Sequence, residues 1–78
     1  MKKVVVASAP WCQNCGTVKQ LLKNKGIQFT EVNIAEEMEY AKQYRIRSVP
    51  TTLVISDIEV KQFSGIVNVE DIESELNA

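Results

Sequence analysis

Two cysteines separated by two residues stand where the chain changes its hydrophobic period. Upstream, Lys2 to Ala7 is a short β-branched run of the kind a buried central strand carries. Ser8-Ala9-Pro10 breaks it, because proline has no N–H to give to a strand ladder. From Cys12 the pattern becomes helical: Cys15, Val18, Leu21 and Leu22 recur at three- and four-residue steps, with Lys19, Gln20, Lys23 and Lys25 off that stripe. A strand that gives way to a helix with Cys12-Gln13-Asn14-Cys15 at the junction leaves few architectures open. The first cysteine falls at a helix N-terminus, where unpaired N–H groups and the helix dipole favour the thiolate, which is the attacking species. The second lies one turn along, placed to attack a mixed disulfide. The motif thus reads as a nucleophile, Cys12, and a resolving thiol, Cys15.

Other uses of the pair are weaker. In a chain of 78 residues, read as one domain over 1–78, a disulfide closing so short a loop removes little denatured-state entropy and is a poor staple. Two reduced core cysteines are the bland alternative, but Cys12 borders a turn instead of an apolar face. A structural zinc needs four ligands, and the chain has no histidine and no third cysteine. A cysteine-bridged metal or iron–sulfur dimer is the alternative from another class; otherwise no metal is expected. The apolar run after Lys2-Lys3 is too short for a signal peptide, and no stretch approaches the roughly 18 apolar residues of a membrane span. The expectation is a cytoplasmic, monomeric protein, since cysteines in a reducing compartment are more often catalytic or metal-binding than structural.

Charge divides unevenly. Residues 1–30 hold five lysines and no acid, whereas residues 31–78 hold ten acids and four bases. The plain reading is two solvated faces of different sign; the functional one is a positive field around the cysteines that favours thiolates and acidic partners. No basic–aromatic interleaving points to nucleic acid.

Further along, Lys23, Lys25 and Gly26 suit a helix C-terminus, and Ile27, Phe29 and Val32 read as a second strand. Asn33 with Glu36 has the side chains of a capping box, opening a helix that buries Met38, Ala41 and Tyr44. Thr51 to Ile55 and Glu59 to Phe63 read as a hairpin turned at Ser56-Asp57. Ser64-Gly65 turns the chain, and Asn68 caps a last helix with Val69, Ile72 and Leu76 on its face. The order β-α-β-α-β-β-α predicts an α/β fold. Its first β-α-β is a right-handed parallel crossover, and the hairpin adds antiparallel strands to the same sheet, with helices on both faces.

The sequence resembles the thioredoxin/glutaredoxin superfamily in two styles. Residues 12–34, from Cys-Gln-Asn-Cys-Gly-Thr-Val to Val-Asn-Ile, look like the first half of a glutaredoxin. Residues 44–55, Tyr-Arg-Ile-Arg-Ser-Val-Pro-Thr-Thr-Leu-Val-Ile, look like thioredoxin, as do Pro10-Trp11 and Gly65. The resemblance implies a minimal thioredoxin fold, a four-stranded mixed sheet flanked by three helices. It implies a cis Pro50 facing the cysteines and a Val49 backbone that pairs with an extended substrate. Trp11, Gln13 and Asn14 would flank the nucleophile, and Gly65, by lacking a side chain, would let a partner approach. Trp11 read alone could equally be a packed aromatic, and Gly65 a turn residue.

The implied activity is dithiol–disulfide oxidoreduction with no cofactor beyond the redox-active Cys12–Cys15 pair. Implied partners are disulfide-bearing client proteins, ribonucleotide reductase among them, and as reductant a flavoenzyme of the thioredoxin reductase type or glutathione. Departures from both patterns bear on that choice. Val6 stands where thioredoxins carry a buried acid, which leaves the base for Cys15 unassigned. Pro10-Trp11 and Asn14 replace the basic residue and the tyrosine usual around glutaredoxin cysteines, and no Gly-Gly-acid element precedes the last helix. These absences favour the flavoenzyme over a glutathione-dependent glutaredoxin. Gly16 costs the first helix about 1 kcal/mol relative to alanine and has no evident reason in the sequence.

Overall fold

A computed structural model describes residues 2–77, so Met1 and Ala78, the ends of the expected 1–78 domain, lie outside the described residues. Four strands and three helices follow in the expected order: β1 (Lys3–Ser8), α1 (Asn14–Asn24), β2 (Thr30–Asn33), α2 (Met38–Gln43), β3 (Thr51–Ile55), β4 (Val60–Ser64) and α3 (Val69–Asn77). They form one sheet of order β2-β1-β3-β4, with β1 parallel to β2 and antiparallel to β3, and β4 antiparallel to β3. The central strands β1 and β3 are buried almost throughout, as suits their runs rich in β-branched residues.

Strand alternation sends Val4, Val6 and Val54 to one face, where Val18 and Leu22 of α1, Ile72 of α3 and Val67 complete a buried cluster. Val5, Ala7 and Leu53 go to the other face, against Val32, Ile46 and the partly buried Tyr40, Ala41 and Tyr44. Tyr40 and Tyr44 stack there with ring centroids 4.8 Å apart. Burial, more than the neighbouring Tyr44 and Glu37, pushes the Tyr40 hydroxyl above its ordinary pKa.

Helix ends follow local chemistry. Beyond α1, Ile27 N–H donates to the Leu22 carbonyl and Gly26 N–H to that of Lys23, with Gly26 at φ 72°, a complete Schellman ending on the residue type suited to it. The same pair of bonds closes α2 (Ile46 to Ala41, Arg45 to Lys42), but the left-handed residue is Arg45, at φ 55°. The Gln62 side chain donates to the Tyr44 carbonyl beside it. Asn68 caps α3 as expected, its Oδ1 accepting Glu70 N–H at 3.0 Å.

Three expectations are corrected. Ile27 and Phe29 precede β2 and pack on the first cluster from a loop. Asn33 does not open α2: its Oδ1 accepts Ala35 N–H at 2.9 Å and its carbonyl takes Glu36 and Glu37, so the side chain closes a turn in front of the helix. α2 therefore starts later, buries no residue fully, and leaves Met38 62% exposed.

Candidate active site

The turn between β1 and α1 is closed by Cys12 N–H donating to the Ala9 carbonyl at 3.0 Å. It delivers Cys12 to the N-terminus of α1, whose capping position, Gln13, makes no side-chain cap. Cys12 Sγ takes that place, accepting the Cys15 N–H at 3.2 Å. A sulfur carrying negative charge would be stabilised by that donor and by the helix dipole. Cys12 and Cys15 form a disulfide with their Cα atoms 5.6 Å apart.

The two sulfurs have different surroundings. Cys12 is partly exposed, whereas Cys15 is 3% exposed and lies on the buried stripe of α1 with Val18 and Leu22. Cys15 Sγ comes 4.0 Å from the Ala7 carbonyl oxygen. One turn of helix thus separates a solvent-facing sulfur from one held in the core.

Cys12 opens onto a cleft of about 420 Å³. Trp11, Gln13, Asn14 and Val49 line it, and Trp11 is 68% exposed instead of packed. The peptide between Val49 and Pro50 is cis. Pro50 and Cys15 are buried and do not line the cleft. Gly65 also stands outside the lining, tied to the site through its N–H, which donates to the Pro50 carbonyl at 2.9 Å. Its φ of 77° favours glycine, and an added Cβ would point into open space, so backbone conformation is its first requirement.

Sequence reasoning missed three lining residues, Ile34, Arg47 and Ser48. Ile34 is brought to the cleft by its N–H, which donates to the Ser8 carbonyl at the end of β1. Ser48 is held by Thr51 Oγ1, which donates to its carbonyl at 2.7 Å. Arg47 and Ser48 sit within the thioredoxin-like segment and could have been added by their closeness to Pro50; Ile34 closes the glutaredoxin-like segment, but nothing there pointed it at the cleft. The expected positive field takes another form. None of the five lysines of residues 1–30 lines the cleft, and its charged member, Arg47, comes from the acidic part of the chain. Lys19 is instead engaged with Glu31 at 2.8 Å.

Comparison with known proteins matches residues 4–55 to the glutaredoxin family model. The chain belongs to the glutaredoxin family. Within the wider thioredoxin-like superfamily, it is 31% identical over 55 residues to the SPbeta prophage-derived thioredoxin-like protein YosR of Bacillus subtilis, covering 70% of this chain and 69% of that one. It is 33% identical over 64 residues to protein disulfide isomerase-like 1-4 of Arabidopsis thaliana, covering 73% of this chain but 11% of that much longer protein. The crystal structure of reduced Schistosoma mansoni thioredoxin superposes with a TM-score of 0.81 at 26% identity, over 97% of this chain and 76% of that one. Membership of the glutaredoxin family, with Cys12 and Cys15 joined at the head of α1, makes this a thiol–disulfide redox protein. Among the described residues no helix is long and apolar enough to cross a membrane.

Proposed function

We propose that this protein reduces disulfides of client proteins, with Cys12 as nucleophile and Cys15 as resolving thiol. The observation that carries the reading is the unequal burial of the two sulfurs, one opening onto a cleft and the other enclosed behind it. In the reduced protein the Cys12 thiolate attacks one client sulfur, forming a mixed disulfide and releasing the other client sulfur as a thiol. Cys15 then attacks Cys12 Sγ; the Cys12–Cys15 bond forms, the bond to the client breaks, and the client leaves with its second thiol. Two electrons pass from protein to client, and the protons of the two cysteines end on the client. Trp11, Gln13, Asn14 and Val49, which line the cleft, would receive an extended client segment, and Pro50, having no N–H, would add no donor next to that segment. No cofactor beyond the cysteine pair takes part, and a reducing compartment such as the cytoplasm suits the reaction.

Reduction of insulin disulfides checks the assignment: Cys12→Ser should abolish turnover, and unchanged turnover would overturn it. For regeneration the reading favours a flavoenzyme of the thioredoxin reductase type, because the chain lacks the Gly-Gly-acid element before α3. The glutaredoxin family match favours glutathione as the second reading. Recycling rates with thioredoxin reductase and with glutathione plus its reductase separate the two, and faster recycling by glutathione would reverse the preference.

A further inference from the structure

Among the described residues, three polar ones are buried: Ser8, Thr51 and Thr52. Ser8 Oγ donates to Glu31 at 2.9 Å, and Thr51 Oγ1 to the Ser48 carbonyl at 2.7 Å. Thr52 is 0% exposed, and among the described residues its Oγ1 has no hydrogen-bond partner. An unpaired hydroxyl in an apolar core is destabilising, whereas a valine of the same shape is not. Such groups are few in folded proteins, and each asks for a reason.

The register says where this hydroxyl lies. Thr52 pairs with Val6 across β3 and β1, and side chains paired in this way share a face. That face is the one on which Val6, Val54, Val18 and Leu22 pack. Cys15 is buried on the same stripe of α1, one turn before Val18, with its sulfur 4.0 Å from the Ala7 carbonyl oxygen. The resolving thiol and the unpartnered hydroxyl therefore occupy the same apolar layer at the same end of the sheet. A thiolate formed there is poorly solvated, and the nearby Ala7 carbonyl can accept a proton bond but cannot donate one. The charged side chains on the surrounding elements, Lys3 of β1, Lys19 and Lys23 of α1, Glu31 of β2, Lys61 of β4 and the acids of α3, are all outside the buried set, and β3 has none. Ser8 is already committed to Glu31.

We infer that the Thr52 hydroxyl is the donor that stabilises the Cys15 thiolate during resolution, making Thr52 a positioning residue that acts through Cys15. The inference rests on the proposed role of Cys15. Thr52 keeps its own proton throughout; the proton lost by Cys15 is matched by the one gained by the departing client thiolate, as the Cys12–client bond breaks and the Cys12–Cys15 bond forms.

Quenched-flow mass spectrometry of a disulfide-bearing client peptide resolves the two steps. In Thr52→Val the Cys12–client adduct should form at the wild-type rate and decay about 10-fold more slowly or worse, the range for a hydrogen bond to a charged group. The pH of half-maximal decay should rise, Thr52→Ser should recover most of the rate, and Thr52→Val should be at least as stable as the parent. Decay of Thr52→Val at the parent rate at every pH overturns the inference, as does failure of Thr52→Ser to recover it. A Cys15→Ser adduct that decays as fast as the parent's overturns the underlying reading of Cys15 instead.

Discussion

On one face of the sheet α1 and α3 bury Val18, Leu22 and Ile72 against the strands, while on the other α2 contributes Tyr40, Ala41 and Tyr44 without burying any residue fully. The heavily packed face holds Cys15 and Thr52; the lightly packed side lies along the stretch from β2 to β3 that lends Ile34, Arg47, Ser48 and Val49 to the cleft. The difference teaches a division of labour. The buried sulfur, which must meet Cys12 in a fixed geometry, is anchored on the buried stripe of α1. The cleft residues drawn from the stretch between β2 and β3 sit on segments with little apolar burial, the kind that adjust at low free-energy cost.

The largest test of that contrast is truncation on each side. Leu22→Ala should cost about 2–5 kcal/mol in chemical denaturation, because a fully buried leucine leaves both lost transfer energy and a cavity. Met38→Ala, on the exposed side of α2, should change stability by less than about 0.5 kcal/mol. Comparable losses would mean that the second face is packed as firmly as the first.

The helix ends sharpen the same comparison at about 1 kcal/mol. Gly26→Ala should destabilise by about that amount, since a Cβ is disfavoured at φ 72°. Arg45→Gly, at the equivalent position of α2, should stabilise by a few tenths to about 1 kcal/mol. Gly16 lies in the first turn of α1 where an added Cβ meets nothing, so Gly16→Ala should also stabilise, by up to about 1 kcal/mol. Thermal or urea unfolding of the three variants decides their signs.

The smallest effect is electrostatic. The Lys19 ammonium first, and then the Ser8 hydroxyl, hold the Glu31 carboxyl below its ordinary value of 4.5 while burial opposes them. A carboxyl whose pKa is lower when folded contributes stability that is present above 4.5 and fades as pH falls through the lowered value. Glu31→Gln should therefore flatten the acid limb of the stability–pH profile below 4.5 and lower stability slightly at neutral pH. The group is largely exposed, so salt should weaken the contribution further.

How much of this was readable in the residues follows the physics of each part. Lys3–Ser8 and Thr51–Ile55 declare themselves because strands buried on both faces carry short runs rich in β-branched residues. Gly26 and Asn68 were legible because a left-handed turn and a helix cap each select few side chains. Asn33 misled because the side chain that caps a helix closes a turn with the same oxygen, and local sequence does not distinguish the two. Met38 misled because the helical period marks a face but not whether anything covers it. At the site, the cysteines and Val49-Pro50 were legible as contiguous motifs, whereas the cleft also draws Ile34 from a separate loop that the sheet brings alongside. The unpartnered Thr52 hydroxyl depends on strand register and could not have been read at all.

The central claim is that the exposed sulfur attacks and the buried one resolves, and trapping tests it most directly. Cys15→Ser and Cys12→Ser proteins are each incubated with a disulfide-bearing client and digested, and the adduct is located by mass spectrometry. The account predicts a stable client adduct on Cys12 in Cys15→Ser and none on Cys15 in Cys12→Ser. An adduct on Cys15, or client reduction by Cys12→Ser at the parent rate, would contradict it.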